Sequence, residues 1–257
     1  LEPLRQVNAT SVARAMLCPK PQIDQIRRGR GDVTVHTLKG MVVHAMLDCL
    51  IEGEDDVKAA YQEVLPRFRA QMASIADDRF DEDAFQTDAL RHGTALAEFV
   101  DQNPHMRQDP QLELRRYSAT IGIQGRIDAV FRSGDHLDVV ELKTGKRIRP
   151  EDQAQLFIYR LLLSDYIRRA HSRREADFRL TARLLSSHDG TTTPLQIDAD
   201  FHGVLEARNR LLAHTYALGR PRTNLKLPYA GYDRSVCDKC VSWTARRCRD
   251  DSALFGD

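Results

Sequence analysis

The sequence predicts an α/β protein in which a core of strands and helices follows a helical N-terminal region. Residues 38–51 carry apolar side chains at helical spacing, whereas β-forming residues become frequent after Asn103-Pro104. Pro150 stands where a further amphipathic segment begins, and proline is favoured in the first turn of a helix. Strands and helices that alternate along one stretch of chain favour a layered α/β core.

Four helices are predicted in the N-terminal region, which we assign to residues 1–104. The first covers residues 11–27, with potential N-caps between Asn8 and Ser11. The second covers residues 38–51, where His44 stands among apolar side chains. Helical character continues through residues 57–76 and 83–103.

Three strands are predicted next, over residues 112–118, 119–131 and 137–142. The sequence Ser133-Gly134-Asp135 is typical of the turn that joins the last two. A helix over residues 151–169 follows, and its apolar side is predicted to carry Leu156, Tyr159, Leu163 and Tyr166.

A hairpin around Asp189-Gly190 then joins predicted strands 178–186 and 192–197, and a last helix covers residues 200–218. We therefore assign the core to residues 105–219. Residues 220–257, with their prolines, glycines and cysteines, form a separate cysteine-rich segment.

Composition excludes several classes of protein. The chain has 257 residues, of which 42% are hydrophobic, and its 38 Lys and Arg nearly balance 37 Asp and Glu. This is the composition of a globular protein, not of a disordered, collagen-like or small disulfide-bonded chain. Its most apolar windows are shorter than the roughly 20 residues that cross a bilayer, and no secretory signal is present. We expect a cytoplasmic protein without a membrane partner, while a nuclear or organellar location stays open.

Three charged residues in the core are predicted to meet at one point. Asp128 ends an apolar segment, and Glu141 and Lys143 are two residues apart on the following strand, so their side chains leave the same face. Carboxylate oxygens are the ligands that Mg²⁺ and Mn²⁺ prefer, and a nearby ammonium group can orient a nucleophile or stabilise charge on a phosphate. The alternative is that the three side chains lie on the solvated face of a hairpin.

Three observations favour the metal site. A lone histidine, His44, stands in an apolar helix four residues after Gly40, although by itself it could be a hydrogen-bonded histidine of the core. The strand is predicted to be buried on both faces, because it contains Val139, Val140 and Leu142. An unpaired charge is costly in such a strand. Gln155 and Tyr159 are four residues apart on the next helix, so they share a face that can reach the same point. For Tyr159, a place in the core and a role in stacking a base both stay open.

These motifs together resemble the RecB-like branch of the PD-(D/E)xK nuclease superfamily. The resemblance rests on Gly40-xxx-His44, Gly-x-Ile-Asp128, Glu141-x-Lys143 and Gln155-xxx-Tyr159, in that order. It implies a restriction-endonuclease-like core, which is a mixed sheet flanked by helices. It also implies that His44, Asp128, Glu141 and the carbonyl of Leu142 bind the metal and that Lys143 is catalytic. Gln155 and Tyr159 would position the scissile strand, and Glu113 matches a supporting acidic position.

The chain has five cysteines, and their spacing indicates a second metal centre. Cys237-x2-Cys240 followed by Cys248 is typical of metal ligation, because a two-residue gap lets two thiolates point at one centre. Both zinc and an iron–sulfur cluster use such ligands. Cys49 lies on the apolar side of its helix, where we expect a small buried hydrophobe.

The resemblance extends to the iron–sulfur members of the same superfamily. These include AddB-type nucleases, CRISPR-adaptation exonucleases and the nuclease domain of the replication helicase–nuclease. It implies that Cys18 joins Cys237, Cys240 and Cys248 around a [4Fe–4S] cluster that clasps the chain ends, with zinc as the alternative. The seven residues between Cys240 and Cys248 slightly exceed the gap usual in that branch.

The resulting functional hypothesis is a metal-dependent DNA nuclease, a single-strand exonuclease of DNA repair, recombination or replication. Lys146, Arg147 and Arg149 follow the catalytic lysine, and we expect them to bind the DNA backbone in a salt-sensitive manner. A fused or associated helicase is a further expected partner. Two other hypotheses stay open: a catalytically silent DNA-binding clamp module of a larger helicase–nuclease complex, and a zinc-stabilised interaction domain.

Overall fold

A computed structural model describes residues 6–19, 21–22, 25, 33–75, 80–171, 179–196 and 201–218. Its helices are α1 (Ala9–Leu17), α2 (Val35–Glu52), α3 (Val57–Val64), α4 (Arg69–Ile75), α5 (Glu82–Gln102), α6 (Pro150–His171) and α7 (Phe201–Leu218). Its strands are β1 (Val7–Asn8), β2 (Gln111–Ser118), β3 (Ile123–Ser133), β4 (His136–Lys143), β5 (Arg179–Ser186) and β6 (Thr192–Pro194). Short 3₁₀ helices cover Leu65–Phe68 and Pro104–Arg107.

The six described strands form one mixed sheet around β3. Strand β2 pairs antiparallel with nearly the whole length of β3. The other edge of β3 therefore holds both β1, which pairs in parallel at Ile123 and Gln124, and β4, which pairs antiparallel from Ala129 to Ser133. Strand β5 continues the sheet parallel to β4, and β6 closes it antiparallel. Residues 125–128 of β3 thus lie between two pairing partners on one edge.

Helices cover both faces of this sheet, each over its own hydrophobic core. The first core joins α1, α6 and α7 to sheet residues such as Val130 and Val139. The second joins α2, α3 and α5 to sheet residues such as Phe131 and Val140. Neighbouring residues of a strand point to opposite faces, so Val130 and Phe131 serve different cores. The mixed sheet with helices on both faces confirms the predicted α/β core, whereas the predicted C-terminal iron–sulfur clasp lies outside the described residues.

Helix α2 places His44, and its ends are set by residues that favour such positions. The Thr34 side chain accepts a hydrogen bond from the Thr37 backbone N–H, as an N-cap residue does. Gly53 ends the helix in the left-handed conformation that glycine adopts at little cost. The predicted helix over residues 38–51 is confirmed and is extended at its N-terminus.

Four predictions of local structure were wrong. The helix predicted over residues 11–27 is interrupted at Cys18, whose backbone is extended. Residues 119–122 form the turn between β2 and β3 instead of continuing a strand. The helix predicted over residues 57–76 is interrupted by the 3₁₀ helix Leu65–Phe68, where Pro66 lacks the N–H that an α-helix requires. Tyr166 is 39% exposed instead of lying on the apolar side of α6, and its ring packs under the guanidinium of Arg116. The predicted division of the chain at residues 104 and 219 stays a prediction.

In the described part of the chain, no helix combines the length and the apolar character needed to span a membrane.

An ion-pair cluster joins α2 to α5 and makes the fold sensitive to acid. Burial favours the neutral Asp88 carboxyl, but hydrogen bonds from Lys39 Nζ and Arg91 Nη2, both at 2.7 Å, outweigh burial and lower its pKa to about 2. Asp88 therefore stabilises the fold above about pH 4, and this stabilisation is lost as the pH falls toward 2. We expect Asp88→Asn to lower the free energy of unfolding by up to about 1 kcal/mol near neutral pH. Denaturant titrations of both proteins should converge near pH 2; a constant difference would contradict this assignment.

Candidate active site

The end of β4 presents a buried carboxylate beside a lysine. Glu141 is 3% exposed, and its Oε1 accepts hydrogen bonds from Lys143 Nζ at 3.0 Å and Gln155 Nε2 at 2.8 Å. Lys143 Nζ also donates to Gln155 Oε1 at 3.0 Å and lies 3.4 Å from a carboxylate oxygen of Asp152. The predicted shared face of Glu141 and Lys143 is therefore present, and the lysine is held by three oxygen atoms.

Asp128 lies on β3 opposite Glu141, one position beyond the last pair of the β3–β4 ladder. Its Oδ2 accepts a hydrogen bond from the Leu142 backbone N–H at 2.8 Å, and its side chain is 8% exposed. Its Oδ1 lies 3.4 Å from His44 Nδ1 on α2. The fold thus brings together the three side chains that the sequence motifs single out as metal ligands.

Glu113 joins this group because β2 is distorted at that residue. Its φ of 51° is uncommon for a residue other than glycine, and such conformations cluster at functional sites. Leu112 packs against the second core and Leu114 against the first, although residues two apart in a regular strand share a face. At Glu113, which lies opposite Asp128, β2 therefore turns over: residues with the same spacing point to one face of the sheet before Glu113 and to the other face after it.

Donor atoms of His44, Glu113 and Asp128 all lie within 4.8 Å of one another. We call these three residues together with Glu141 the carboxylate cluster. Its donors fit a divalent cation such as Mg²⁺ or Mn²⁺, which takes carboxylate and imidazole ligands. Glu141 Oε2 is also buried without a hydrogen-bond donor among the described residues, which is costly unless a cation binds there.

The pKa values show how strongly these groups interact. Burial would lower the pKa of His44, but the Asp128 carboxylate outweighs it and raises that pKa to about 9. Burial and the Asp128 carboxylate raise the pKa of Glu141 to about 8. Burial opposes ionisation of Asp128, yet His44 and the Leu142 N–H hold its pKa below the usual value. The carboxylates of the cluster thus lie so close together, and so far from solvent, that their ionisation depends on a nearby positive charge.

Asp48 is a further acidic residue that the sequence motifs do not identify. It stands one helical turn after His44, and burial together with the Glu113 carboxylate raises its pKa to about 7. The signal in the sequence is the spacing of four residues on α2, which places both side chains on one face.

Gln155 and Tyr159 on α6 form the wall behind Glu141. Gln155 Nε2 donates to Tyr159 Oη at 2.8 Å as well as to Glu141. Tyr159 is 3% exposed, and its ring lies against Gly125, where a β-carbon would approach Cε1 to 2.6 Å. Of the two roles left open for Tyr159, the structure thus favours the core position.

Ser187 and His92 support the cluster from the second core, and sequence motifs give no sign of them. The Ser187 N–H donates to the backbone oxygen of Lys143 at 3.0 Å. His92, 1% exposed on α5, places its Nδ1 2.8 Å from Ser187 Oγ. This contact ties the end of β4 to α5.

Two clefts meet at the carboxylate cluster. The larger, about 820 Å³, runs along the β2–β3 hairpin, and the smaller, about 290 Å³, runs along the segment after β4. Arg14, His44, Glu141 and Gln155 line both. Of the predicted DNA-binding residues, Arg147 and Arg149 line the smaller cleft, whereas the exposed Lys146 lines neither.

Most of the predicted cluster cysteines lie outside the described residues. Cys18 follows α1 as its C-cap and is half-buried. Cys237, Cys240 and Cys248 belong to the part of the chain that the structure does not describe. Cys49 is 3% exposed, which confirms the prediction of a small buried residue, and its Sγ lies 3.7 Å from Glu63 Oε1.

Comparisons with known proteins identify the family of this chain. The sequence model of the PD-(D/E)XK nuclease superfamily matches residues 17–248, which include every residue of the carboxylate cluster. No curated protein matches the sequence. Among solved structures, the crystal structure of SSO0001 is similar at 14% identity, with 91% of this chain and 92% of that chain covered and a TM-score of 0.34. The chain belongs to the PD-(D/E)XK nuclease superfamily.

Proposed function

We propose that the protein is a metal-dependent deoxyribonuclease that acts on single-stranded DNA. The observation that carries the proposal is the convergence of His44, Glu113, Asp128 and Glu141 beside Lys143, at the meeting point of two clefts. Family membership supports nuclease chemistry. Exonucleolytic digestion and a role in DNA repair, recombination or replication rest on the RecB-like motifs.

In this proposal the carboxylate cluster holds Mg²⁺ or Mn²⁺, with the Leu142 carbonyl as a further ligand. A bound ion would act as a Lewis acid and lower the pKa of a coordinated water molecule. Lys143, held by Glu141 and Gln155, donates a hydrogen bond to the attacking oxygen or to the phosphate. As the water oxygen bonds to phosphorus it would give up a proton to solvent, the bond from phosphorus to the 3′-oxygen would break, and that oxygen would receive a proton from solvent. The products are a 5′-phosphate and a 3′-hydroxyl.

The direct test is cleavage of end-labelled single-stranded and double-stranded DNA with Mg²⁺, Mn²⁺ or EDTA. We expect degradation only with a divalent ion, faster on single strands, with loss of label from one end first. Internal cuts would contradict the exonuclease. Binding without cleavage in the presence of both metals would contradict the nuclease and favour a DNA-binding clamp.

Metal binding should also stabilise the fold. At a free Mn²⁺ concentration about 100 times its Kd, we expect the free energy of unfolding to rise by about 2.7 kcal/mol, because the ion binds only the folded chain. Asp128→Asn and Glu113→Gln should lose this gain, whereas Asp101→Asn, an exposed position on α5, should keep it. Calorimetric scans with and without metal measure the gain. Its absence in the unmodified protein would contradict the metal site.

We further propose that Cys18, Cys237, Cys240 and Cys248 bind a [4Fe–4S] cluster. The support is the Cys-x2-Cys spacing together with a family match that includes all four cysteines. Protein purified without oxygen should be brown, with broad absorbance near about 400 nm from the cluster. Cys237→Ser should lose iron and unfold at a lower temperature, whereas Cys49→Ser should keep its iron. Colourless protein with stoichiometric zinc would contradict the cluster.

A further inference from the structure

The outer part of the β2–β3 hairpin carries a polar face that the helices leave open. Tyr117 pairs with Gln124, and Arg115 pairs with Arg126. Paired residues of antiparallel strands share a face, so these four side chains lie side by side. We call them the arginine strip. The next position inward on each strand is a member of the carboxylate cluster, and the strip lines the larger cleft.

Charge is divided along this cleft. Arg115 and Arg126 line this cleft one same-face position farther out on the hairpin than Glu113 and Asp128, whereas Arg14 lines both clefts beside Glu141. A polyanion that reached the carboxylate cluster along this path would therefore meet arginines before it met a bound cation. The arrangement is complementary to a phosphodiester chain whose scissile phosphate lies at the metal site.

The pairing of Arg115 with Arg126 destabilises the β2–β3 hairpin. Like charges directly opposite each other on antiparallel strands destabilise the pairing. Arg126 is compensated because its Nε lies 2.6 Å from Glu113 Oε2. Arg115 is exposed and forms no close ion pair with a described residue, although its charge opposes the rise in the pKa of the nearby Glu113 carboxyl. A phosphate group would supply the close ion pair that Arg115 does not form with the described residues.

The arginine strip ends in an exposed aromatic ring. Tyr117 is 44% exposed at the outer end of the cleft, in contrast to Tyr159, which lines the same cleft at 3% exposure. Base–aromatic stacking needs an unpaired base, which a single strand offers and an intact duplex does not. Arginines beside an exposed tyrosine are therefore typical of a track for single-stranded nucleic acid.

Contacts with neighbouring elements hold the backbone of the strip in place. The guanidinium of Arg116 lies 4.1 Å above the Tyr166 ring of α6, and its Nη1 donates to the Arg115 backbone oxygen at 2.9 Å. Gln124 Nε2 donates to Asn8 Oδ1 on β1 at 3.0 Å. These contacts fix the hairpin, so that little order needs to be gained when a strand binds.

We propose that the arginine strip is the track along which single-stranded DNA reaches the carboxylate cluster. Arg115 and Arg126 contact successive phosphates, and a base stacks on Tyr117. This inference rests on the proposed nuclease function and assigns it an entry path. The strand continues into the smaller cleft, where Arg147 and Arg149 lie beyond the cluster.

The test measures DNA binding apart from cleavage. Fluorescence anisotropy of a labelled oligo-dT strand of about 20 nucleotides, longer than the roughly 4–16 that one binding fold covers, gives Kd at several salt concentrations. Lys143→Ala serves as the background so that the strand is not cut. Arg115→Ala should reduce the slope of log K against log salt by about 0.7, because one phosphate contact is lost.

The aromatic contribution is measured in the same assay. Tyr117→Leu should weaken binding by about tenfold or more without changing the salt slope, and Tyr117→Phe should restore it. Arg132→Ala, an exposed arginine at the other end of β3, and Phe201→Leu, 46% exposed on α7, are the matched controls and should bind as the background does.

Two results would overturn the track. One is an unchanged Kd and salt slope in Arg115→Ala; the other is a duplex that binds as tightly as the single strand with the same dependence on Tyr117. Cleavage by the unmodified protein separates this failure from that of the nuclease. If metal-dependent cleavage persists with unaltered KM in the strip variants, the track is wrong and the nuclease stands. If binding depends on the strip but no metal supports cleavage, the nuclease is wrong and the track stands.

Discussion

Replacing Lys143 by alanine is expected to lower the rate of metal-dependent DNA cleavage by about 10²–10³-fold, the usual loss when one hydrogen-bond donor to the transition state is removed. The ammonium is placed by Glu141, Gln155 and Asp152, and neither a neighbouring side chain nor water restores a charge at that point. DNA affinity should change little, because the proposed contacts to the DNA backbone are made by the arginines that line the clefts. Single-turnover cleavage with saturating protein measures the loss directly.

The control for Lys143→Ala is Lys58→Ala, which removes an exposed lysine from α3. It should cleave at the unmodified rate. Thermal unfolding of both variants should show that the fold persists, because Gln155 still donates to Glu141 when the lysine is absent. A cleavage rate in Lys143→Ala within a few-fold of the unmodified protein would exclude this lysine from the chemistry.

Replacing Gly125 by alanine is expected to damage both stability and catalysis. The new methyl group would lie 2.6 Å from Cε1 and 3.1 Å from Cδ1 of Tyr159, and a buried ring cannot yield as a flexible chain end does. Overpacking of this kind costs about 1–3 kcal/mol. Tyr159 would move, and because Gln155 bonds both Tyr159 and Glu141, the displacement would reach the metal ligands.

We expect Gly125→Ala to unfold at a lower temperature and to cleave at least about tenfold more slowly, since small displacements of catalytic groups are costly. The matched control is Gly40→Ala on α2. There a β-carbon would lie 3.6 Å from Thr144 Oγ1, an ordinary contact, and alanine in a helix interior is favoured by about 1 kcal/mol. Gly40→Ala should therefore be as stable as the unmodified protein or more so. Unchanged melting of Gly125→Ala would show that Tyr159 does not hold a fixed position.

Much of the fold could be predicted because short stretches of sequence indicate most of its helices and turns. Apolar spacing located α2, and turn residues located the β3–β4 and β5–β6 hairpins. The wrong predictions concern features that the spacing of apolar residues does not indicate. Pro66 stands where the pattern of apolar residues continues, and residues 119–122 combine β-forming residues with a turn conformation.

The candidate site could be predicted for those side chains whose positions follow from the geometry of a single strand. Residues two apart on β4 share a face, so the pairing of Glu141 with Lys143 follows from the sequence. The resemblance points to Glu113, but its position in the cluster depends on a positive φ, which glutamate does not favour and a single sequence therefore does not indicate. Contacts such as that of Ser187 with Lys143 span more than 40 residues of chain and depend on tertiary packing.

The exchange of sheet faces at Glu113 bears on when activity can arise during folding. His44 reaches the cluster from the second core, whereas Gln155 and Tyr159 reach it from the first. A chain that has assembled only one of these cores therefore lacks groups that the proposed cleavage requires. Such a partly folded chain would not cut nucleic acid, so that the proposed activity would arise only after both cores have formed.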